Sequence, residues 1–528
     1  MIRMLGSDLG YQTAVLPVDI RQVLGSDHPA FEFIETARAL DMAPFEAAYR
    51  ADGVGRPPYD PRWMVALLMY LRCKDQRTPR QVAAACRDDL GARVIMGGSR
   101  PNERTVRRFQ QVHKVALRGL LVQSIRLGED YGLVDTNVMA GDGTLMTANA
   151  SMQANRTEEQ LVASIDELKR KVVEAQTAYW DSVDPATVAH APALFAVDGS
   201  EVVEESARVS APGDPVALQR LRSLELKLHR HETALSHLRA HPNRDLQQWQ
   251  DRLDRDQQRV ARDEQRVETV HADLRAQRER RQARVAAGER ISGTPPVPVQ
   301  EHTRMRAAER ALATAKARAE ATTAARPTTG RINITDPASA IMPGKKGDFD
   351  QRYNVQATAC GDEFILAIGL HPSSNDKQAL IELLRQTRAN LDDAGIRRAI
   401  IHALFDAGYA SEANFTADLP VDTLLVAVQK EARQTGRQPD QAASTPAAWD
   451  TMRTRLQQQA NRLLYKLRSG IIEPVFAQMF NRFGRAIRSR GQAALTELHL
   501  SAATHNLLKI HRARRAATKT QRAIPATT

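Results

Sequence analysis

Three acidic residues in apolar surroundings are the groups of this sequence that could carry out chemistry together. Asp142 lies between two glycines in a strand-like apolar stretch, Asp406 ends a second such stretch, and Glu473 lies in a third. A carboxylate among apolar residues is costly to desolvate unless a cation or hydrogen bonds offset that cost. Divalent cations prefer hard oxygen ligands, and carboxylates hold both ions of a two-metal site. The three acids therefore predict a two-metal site for phosphoryl transfer.

These residues and their neighbours also have simpler structural interpretations. A Gly-Asp-Gly turn between two short strands accounts equally well for the stretch around Asp142 taken alone. Three further acids could compete for the metal, but they lie in loops beside turn residues, where capping or turn formation is the usual role. They are Asp336, Asp348 and Asp376. His402 and His505 could be ligands, although a lone histidine is more often structural.

Composition indicates a basic protein of the cell interior. The chain has 528 residues, enough for two to four domains, and 74 Lys and Arg against 62 Asp and Glu give a net charge of +12. This charge favours a polyanionic partner, nucleic acid before a membrane surface. We find no apolar stretch of the roughly 18–20 residues that span a bilayer, and no signal-peptide core near Met1. Three scattered cysteines argue against a disulfide framework or a zinc site, so we expect a cytoplasmic protein.

Residues 1–130 are predicted to form a helical DNA-binding domain. Asp60-Pro61 and Thr78-Pro79 are helix start signals, and Asn102 can cap a helix over 103–113. The outer face of that last helix carries three arginines. They are Arg104, Arg107 and Arg108. Two short helices around the turn at Gly97-Gly98 resemble a helix-turn-helix, although this turn is longer than usual. The alternative is a helical bundle with a solvated basic face.

Residues 155–330 have the spacing of a helical coiled-coil arm. Apolar residues in 161–179 and 221–238 recur at alternating steps of three and four, with charged residues on either side. We expect these helices to pack on each other, as an insertion in the catalytic domain. At the other end of the chain, residues 512–528 are predicted to be a basic tail that is disordered without DNA.

The catalytic domain is predicted to be α/β and to comprise residues 131–154 and 331–511. The strand over 138–146 is followed, after the arm, by a hairpin of strands over 353–360 and 363–371. A helix, a strand ending at Asp406, another strand and a final helix complete it. This order matches an RNase H-like mixed sheet with flanking helices, in which the three acids converge at one edge.

Blocks around these acids resemble those of a known family. They include Asp142-Gly143-Thr144, Tyr353-Asn354-Val355-Gln356, Asn375-Asp376, Asp406-Ala407-Gly408-Tyr409 and Glu473-Pro474-Val475-Phe476, with Tyr59-Asp60-Pro61-Arg62 near the start. The chain resembles a bacterial insertion-sequence DDE transposase, in particular the insertion sequence 1182 group. The resemblance covers nearly the whole chain and is weakest in the arm.

The resemblance implies a transposase that cleaves and joins DNA, with Asp142, Asp406 and Glu473 as catalytic residues and metal ligands. Mg²⁺ suits these oxygen ligands, and Mn²⁺ should substitute. The implied partners are double-stranded DNA, as terminal inverted repeats and target DNA, and a second copy of the chain in a homodimer on the DNA. Further DNA contacts are expected from the C-terminal part of the chain. They are Tyr465, Arg468, Arg482 and Arg490.

Two positions depart from the family pattern. Ala477 replaces a usual glycine, and Phe480 replaces a frequent lysine whose phosphate contact Arg482 would have to take over. Two alternative functions therefore stay open. One is an RNase H-like metal-dependent nuclease that cuts without joining. The other is a catalytically impaired, DNA-binding remnant of a transposase.

Overall fold

The computed structural model describes residues 20–49, 57–183, 213–240, 244–289, 297–325, 330–344, 348–371, 376–428 and 447–523. The chain divides into two compact units. One comprises Met1–Gln153 with Ala338–Thr528, and the other comprises Ala154–Pro337. The N-terminal helices and the sheet that carries the acids thus belong to one unit.

Helices form the N-terminal part of the first unit. They are α1 (Ile20–Leu24), α2 (Pro29–Arg38), α3 (Ala43–Glu46), α4 (Pro61–Arg72), α5 (Pro79–Asp88), α6 (Leu90–Ile95), α7 (Glu103–Val112) and α8 (Lys114–Asp130). The predicted start signals are confirmed. Asp60 accepts a hydrogen bond from the backbone N–H of Arg62 at 2.8 Å, and Thr78 forms a capping box with Gln81. Asn102 caps α7 through its side chain as well.

Between α5 and α7 the structure differs from the long glycine-bearing turn that the sequence predicts. Asp89 accepts a hydrogen bond from the N–H of Ala92 at 2.8 Å and so starts α6, a further helix. The turn predicted at Gly97-Gly98 follows this helix, and both glycines have positive φ angles. The spacing of two helices around a single turn is therefore wrong, because a capping aspartate inserts a third helix between them.

The second unit is helical, as the apolar spacing predicted. Its helices are α9 (Glu158–Asp181), α10 (Pro215–Ala240), α11 (Arg244–Ala286) and α12 (Thr303–Ala324). α9 packs on α10, with Tyr179 and Leu221 buried between them, and α11 packs on α12. Two short strands, β2 (Asn155–Arg156) and β3 (Ile332–Asn333), pair antiparallel at the two ends of this unit.

A mixed sheet forms the centre of the first unit. Its strands are β1 (Val138–Thr147), β4 (Ala340–Pro343), β5 (Phe349–Cys360), β6 (Phe364–His371), β7 (His402–Phe405) and β8 (Thr423–Val426). The strands are arranged β6-β5-β1-β7-β8, and β4 pairs with the first residues of β5. β5 is antiparallel to β1 and β6, whereas β7 is parallel to β1 and β8. The predicted strands around Asp142 and before Asp406 are therefore neighbours.

The remaining helices of the first unit follow β6. They are α13 (Leu380–Asp393), α14 (Glu412–Thr416), α15 (Ala447–Gln457), α16 (Gln459–Tyr465), α17 (Leu467–Phe483) and α18 (Gly491–Ala523). The expected disorder of the basic tail is wrong for residues 512–523, which continue α18. Alanine, arginine and lysine predominate there and have high helix propensity. In the part of the chain that the structure describes, no helix is long and apolar enough to cross a membrane.

A buried carboxylate ties the N-terminal helices to α18. Glu497 lies 3.0 Å from Nη1 of Arg77 and 3.7 Å from Nη1 of Arg72, and all three side chains are about 5% exposed. Glu497 also accepts hydrogen bonds from the backbone N–H groups of Arg488 and Ser489. Burial by itself raises the pKa of Glu497, but the two arginines and the Ser489 hydrogen bonds outweigh burial and hold the pKa below its usual value.

Replacing Glu497 by Gln should destabilise the first unit strongly. Loss of the carboxylate leaves Arg72 buried without its counter-charge and leaves Arg77 with only the half-exposed Asp75 as an ion-pair partner. Breaking a buried pair in this way typically costs about 3–5 kcal/mol of unfolding free energy. Because folding lowers the pKa of Glu497, its contribution is present above the pKa of a free glutamate and is lost as the pH falls through the folded pKa. The difference between wild type and Glu497→Gln should therefore shrink under acid conditions.

Urea unfolding of the two proteins at pH 7 and near pH 4 measures this difference. The matched control is Asp450→Asn, which breaks the exposed pair of Asp450 with Arg453 and should change stability by less than about 1 kcal/mol. Equal effects of the two substitutions at pH 7 would contradict the role assigned to Glu497.

Candidate active site

β1 presents the first acid in the middle of the sheet. Asp142 lies opposite Ala357 of β5, and its side chain accepts a hydrogen bond from the N–H of Gly143 at 2.8 Å. About a quarter of the Asp142 side chain is exposed. A Cβ on Gly141 would overlap the ring of Phe405, so only glycine allows β1 to approach β7 this closely.

The second acid follows the neighbouring parallel strand. Asp406 comes directly after β7 and caps a short 3₁₀ helix over 407–409 by accepting a hydrogen bond from Gly408 N–H at 2.8 Å. Because β7 pairs in parallel with β1 over Val138–Ala140, Asp406 lies close enough to Asp142 for their charges to interact. Asp142 on β1 and Asp406 directly after β7 therefore lie side by side.

The third acid is on α17 and is connected to the first through an arginine. Nη1 of Arg468 lies 3.6 Å from Oδ2 of Asp142, and Nη2 of Arg468 lies 3.3 Å from Oε1 of Glu473. Glu473 is more than half exposed, whereas the Arg468 side chain is largely buried. Among the described residues, Nη1 of Arg468 is buried without a hydrogen-bond acceptor, so it retains a donor at this site.

A fourth carboxylate, Asp376, lies beside the first two. Its Oδ1 accepts hydrogen bonds from Nδ2 of Asn354 at 3.0 Å and from Nε2 of Gln356 at 2.7 Å. Gln356 in turn accepts a hydrogen bond from the hydroxyl group of Tyr409, which is fully buried. This polar network joins β5 to the segment that follows Asp406.

Burial and the charges of neighbouring acids both raise the pKa of Asp142. The pKa of Asp142 is raised to about 6, mainly because burial disfavours its charged form. The charges of Asp406 and Asp376 raise this pKa further, while the Gly143 N–H and Arg468 lower it. Burial, followed by the charges of these three acids, also raises the pKa of Tyr409 well above its usual value. A concentration of negative charge in a partly desolvated setting is the electrostatic character of this site.

Tyr465 and Arg468 are the two proposed DNA contacts that lie among the acids. The hydroxyl group of Tyr465 donates a hydrogen bond at 3.0 Å to the backbone oxygen of Phe405, the residue before Asp406. Burial raises the pKa of Tyr465, so this hydroxyl group stays protonated. Tyr465 therefore holds the end of β7, and Arg468 is the group aimed at the carboxylates.

The other proposed DNA contacts are not brought to the acids. Arg482 is nine residues beyond Glu473, about 13.5 Å along α17, and the charges that act on it are those of Arg512 and Glu32. Arg490 is exposed and donates from Nε to the backbone oxygen of Asn149 at 2.7 Å. The three arginines of α7 are exposed, and Arg107 forms an ion pair with Glu103.

The two positions that depart from the family pattern have separate environments. Ala477 is exposed one turn after Glu473. Phe480 stacks on Phe476 with ring centroids 6.2 Å apart, and the guanidinium group of Arg485 lies 4.5 Å from the centre of its ring. Arg485 thus places a cation at Phe480, through a cation–π contact that the sequence did not predict.

Comparison with protein families finds one match on each side of Asp142. Residues 19–112 match the family described as Transposase domain (DUF772), and residues 320–507 match the family described as Transposase DDE domain. The chain is a DDE-type DNA transposase. No curated protein matched it, and no solved structure matched it. The second match includes Asp406 and Glu473, whereas Asp142 lies between the two matched segments.

DDE transposases generally use divalent metal ions, and the donor set of this transposase fits such ions in its chemistry. Asp142, Asp406 and Asp376 supply hard oxygen atoms, and their mutual repulsion would be relieved by a cation. Within the described residues, however, no three acidic, histidine or cysteine side chains are already arranged to hold a metal. Glu473 faces Arg468, so its side chain would have to turn to complete the set.

Sequence reasoning missed most of the polar network in this transposase. Asn354 and Gln356 alternate on β5 with buried small or apolar residues, and only their spacing of two marks them as sharing a face. The turn residues around Asp376 favour an ordinary loop role for that acid. The signal of its proximity to the acids is its position directly after the hairpin, at the end of the sheet that also carries Asp142.

The raised pKa of Asp142 predicts an unusual pH dependence of stability. Between pH 4 and 6 the folded transposase binds a proton at Asp142 that the unfolded chain does not, so the contribution of Asp142 to wild-type stability should fall as the pH rises through this range. Without divalent cations, Asp142→Asn should therefore be more stable than wild type above pH 6 and equally stable near pH 4.

Denaturant unfolding in a chelating buffer, from pH 4 to pH 8, measures the two stabilities. Asp362→Asn is a suitable control, because Asp362 lies on a surface turn after β5. A wild-type protein that gains stability over Asp142→Asn as the pH rises would show that Asp142 is not destabilised by its surroundings.

Proposed function

We propose that this transposase cleaves DNA at the ends of an insertion sequence and joins those ends to target DNA by two-metal-ion phosphoryl transfer. Asp142, Asp406 and Glu473 are the proposed catalytic residues. The observation that carries the proposal is the meeting of Asp142 and Asp406 on neighbouring parallel strands, with Arg468 between Asp142 and Glu473. Such a charged, partly buried site favours catalysis of phosphoryl transfer over DNA binding without catalysis.

The proposal includes an RNase H-like fold and membership of the insertion sequence 1182 group. Three antiparallel strands with β1 at their inner edge, followed by two parallel strands, support the fold assignment. The residue blocks around the acids support the group. The second unit is proposed to serve as a coiled-coil arm, which the packing of α9 on α10 and of α11 on α12 supports.

We propose Mg²⁺ as the natural cation, with Mn²⁺ able to substitute. Asp142, Asp406 and Glu473 would hold two ions, since hard carboxylate oxygens match their preference. When bound, such ions lower the pKa of the attacking hydroxyl group and neutralise charge on the leaving oxygen. The protein side chains supply the arrangement. Partial burial of Asp142 reduces the screening of its charge by water, and the Tyr465 hydrogen bond fixes the backbone before Asp406.

Arg468 has a second role in this proposal. In the structure its guanidinium group neutralises Asp142 and Glu473. With these acids neutralised by bound cations, the two Nη atoms of Arg468 would be available to phosphate oxygens, which guanidinium groups bind through paired hydrogen bonds. Arg468 would then position the phosphate next to the acids. Arg482 and Arg490 are proposed to contact DNA further from the reacting phosphate.

The partners follow from the same chemistry. Double-stranded DNA, as terminal inverted repeats and as target, is the proposed substrate, bound in part by Arg104, Arg107 and Arg108 of α7. The net charge of +12 supports a polyanionic partner. We propose that the transposase acts as a homodimer on DNA and works in the bacterial cytoplasm at the nucleoid.

Substitution of any one acid should abolish cleavage and leave DNA binding intact. Asp142→Asn, Asp406→Asn and Glu473→Gln keep the shape of each side chain but remove a negative charge from the cation site. Cleavage should fall by at least about a thousandfold, in line with the loss of a major electrostatic contribution to catalysis. Affinity should remain within a few-fold of wild type, because phosphate contacts elsewhere dominate it.

The assay uses a duplex carrying the inverted repeat and Mg²⁺, followed on sequencing gels, with affinity measured separately in Ca²⁺. Asp450→Asn, on the exposed surface, serves as the control. Cleavage that survives at any of the three positions would refute that assignment. Nicking without strand-transfer products would identify a nuclease. DNA binding without cleavage by the wild-type protein would identify an impaired remnant, whose departures from the family pattern are Ala477 and Phe480.

Neutralising the α7 arginines should change the salt dependence of DNA binding. In the triple variant Arg104→Gln, Arg107→Gln and Arg108→Gln, affinity should fall because fewer phosphates are neutralised. The slope of log affinity against log salt should flatten by about 0.9 for each phosphate that the variant no longer neutralises. Fluorescence anisotropy over a range of about 50–200 mM salt measures both quantities.

The control for this variant is Arg385→Gln with Arg397→Gln, which removes exposed arginines outside α7. We expect its slope to match wild type. If the α7 triple variant also keeps the wild-type slope, α7 is a solvated surface and not part of the DNA interface.

A further inference from the structure

Asp376 is held in a fixed place next to the catalytic acids. Two side-chain amides of β5, from Asn354 and Gln356, donate to its Oδ1. A Cβ on Gly143 would lie 2.9 Å from Oδ1 of Asp376, and a Cβ on Gly408 would lie 3.3 Å from its Oδ2. Asp376 therefore packs against the glycine that follows Asp142 and against the glycine whose N–H is capped by Asp406.

The charge of Asp376 is not needed for these contacts. Asn at this position would offer one carbonyl oxygen to the same two amide donors and would fill nearly the same volume. The carboxylate instead places a third negative charge beside Gly143 and Gly408, the glycines whose N–H groups donate to Asp142 and Asp406. A structural role alone would be served better by the neutral amide.

In the part of the chain that the structure describes, Arg468 is the cation that pairs with these acids, and it offsets part of this excess. Arg468 pairs with Asp142 and Glu473, whereas the hydrogen-bond donors on Asp376 are neutral amides. The two amides use Oδ1 of Asp376. Its other oxygen, Oδ2, lies on the side of Gly408, where Oδ1 of Asp406 also lies. Divalent cations are stabilised where several fixed carboxylates converge.

We propose that Asp376 is a fourth acid of the catalytic site, which adds its negative charge to those of Asp142 and Asp406 where the divalent cation binds. This inference rests on the proposed function and deepens it, because it assigns a cation-binding role to a residue outside the catalytic three. Asn354 and Gln356 are then positioning residues, which orient Asp376 through its Oδ1. Tyr409 in turn orients Gln356.

The test measures cation affinity directly, on the full chain without DNA. Mn²⁺ binding is followed by electron paramagnetic resonance for wild type, Asp376→Asn, Asp142→Asn and Asp348→Asn. Asp348 is the matched control, an exposed loop carboxylate of the same unit that pairs with Arg352 at 2.7 Å. Thermal unfolding in a chelating buffer shows whether each variant is folded before Mn²⁺ is added.

We expect Asp376→Asn to weaken Mn²⁺ binding about tenfold or more, the size seen when a supporting group of a metal site is removed. Its cation-free stability should be equal to or above that of wild type, since the amide keeps the hydrogen bonds and removes repulsion. Asp142→Asn should also weaken binding, and Asp348→Asn should leave it unchanged.

Three results would overturn the inference, and they are distinguishable. If Asp142→Asn weakens Mn²⁺ binding and Asp376→Asn does not, Asp376 is no part of the cation site although the proposed function stands. If Asp376→Asn unfolds more easily without cations, its role is structural. If neither substitution changes Mn²⁺ affinity, the proposed metal site itself is wrong.

Discussion

The repulsion between the carboxylates carried by β1 and by the end of β7 is the constraint on which this site depends. Parallel pairing of the two strands places Asp142 next to Asp406, and the segment between the hairpin and α13 adds Asp376. Folding the chain therefore concentrates negative charge where burial already disfavours it. Arg468 relieves part of that repulsion, which explains why an arginine from α17 turns inward to the sheet. A cation would relieve the rest.

The strength of the surrounding fold makes this unfavourable arrangement possible. Strained or repelling groups persist only where other interactions determine their positions. Here α8 and α18 pack on the sheet, Asn506 of α18 hydrogen-bonds both backbone groups of Ile365, and Glu497 joins α18 to two arginines of the N-terminal helices. The helices matched to the first transposase family thus hold α18, which in turn packs on the sheet.

Local signals in the sequence predicted elements well, and distant side-chain contacts poorly. Capping residues such as Asp60 and Thr78 act within a few positions of themselves, so the helix starts could be read directly. The strands of Asp142 and Asp406 followed from apolar runs bounded by glycine. The Asp376–Gln356–Tyr409 network and the turn of Arg468 toward Asp142 depend on residues that meet only after folding. No local sequence pattern marks such contacts. The additional helix α6 shows that a capping residue, Asp89, can also be overlooked in a segment predicted as a turn.

The pairing of β2 with β3 bears on how this chain arose and how it tolerates change. The two strands bring the first and last residues of the second unit side by side, with Asn155 opposite Asn333. A segment whose ends meet can lengthen, shorten or be exchanged while the chain on either side keeps its path. Evolution can therefore vary the helices of this unit as a cassette, under selection separate from that on the acids of the sheet.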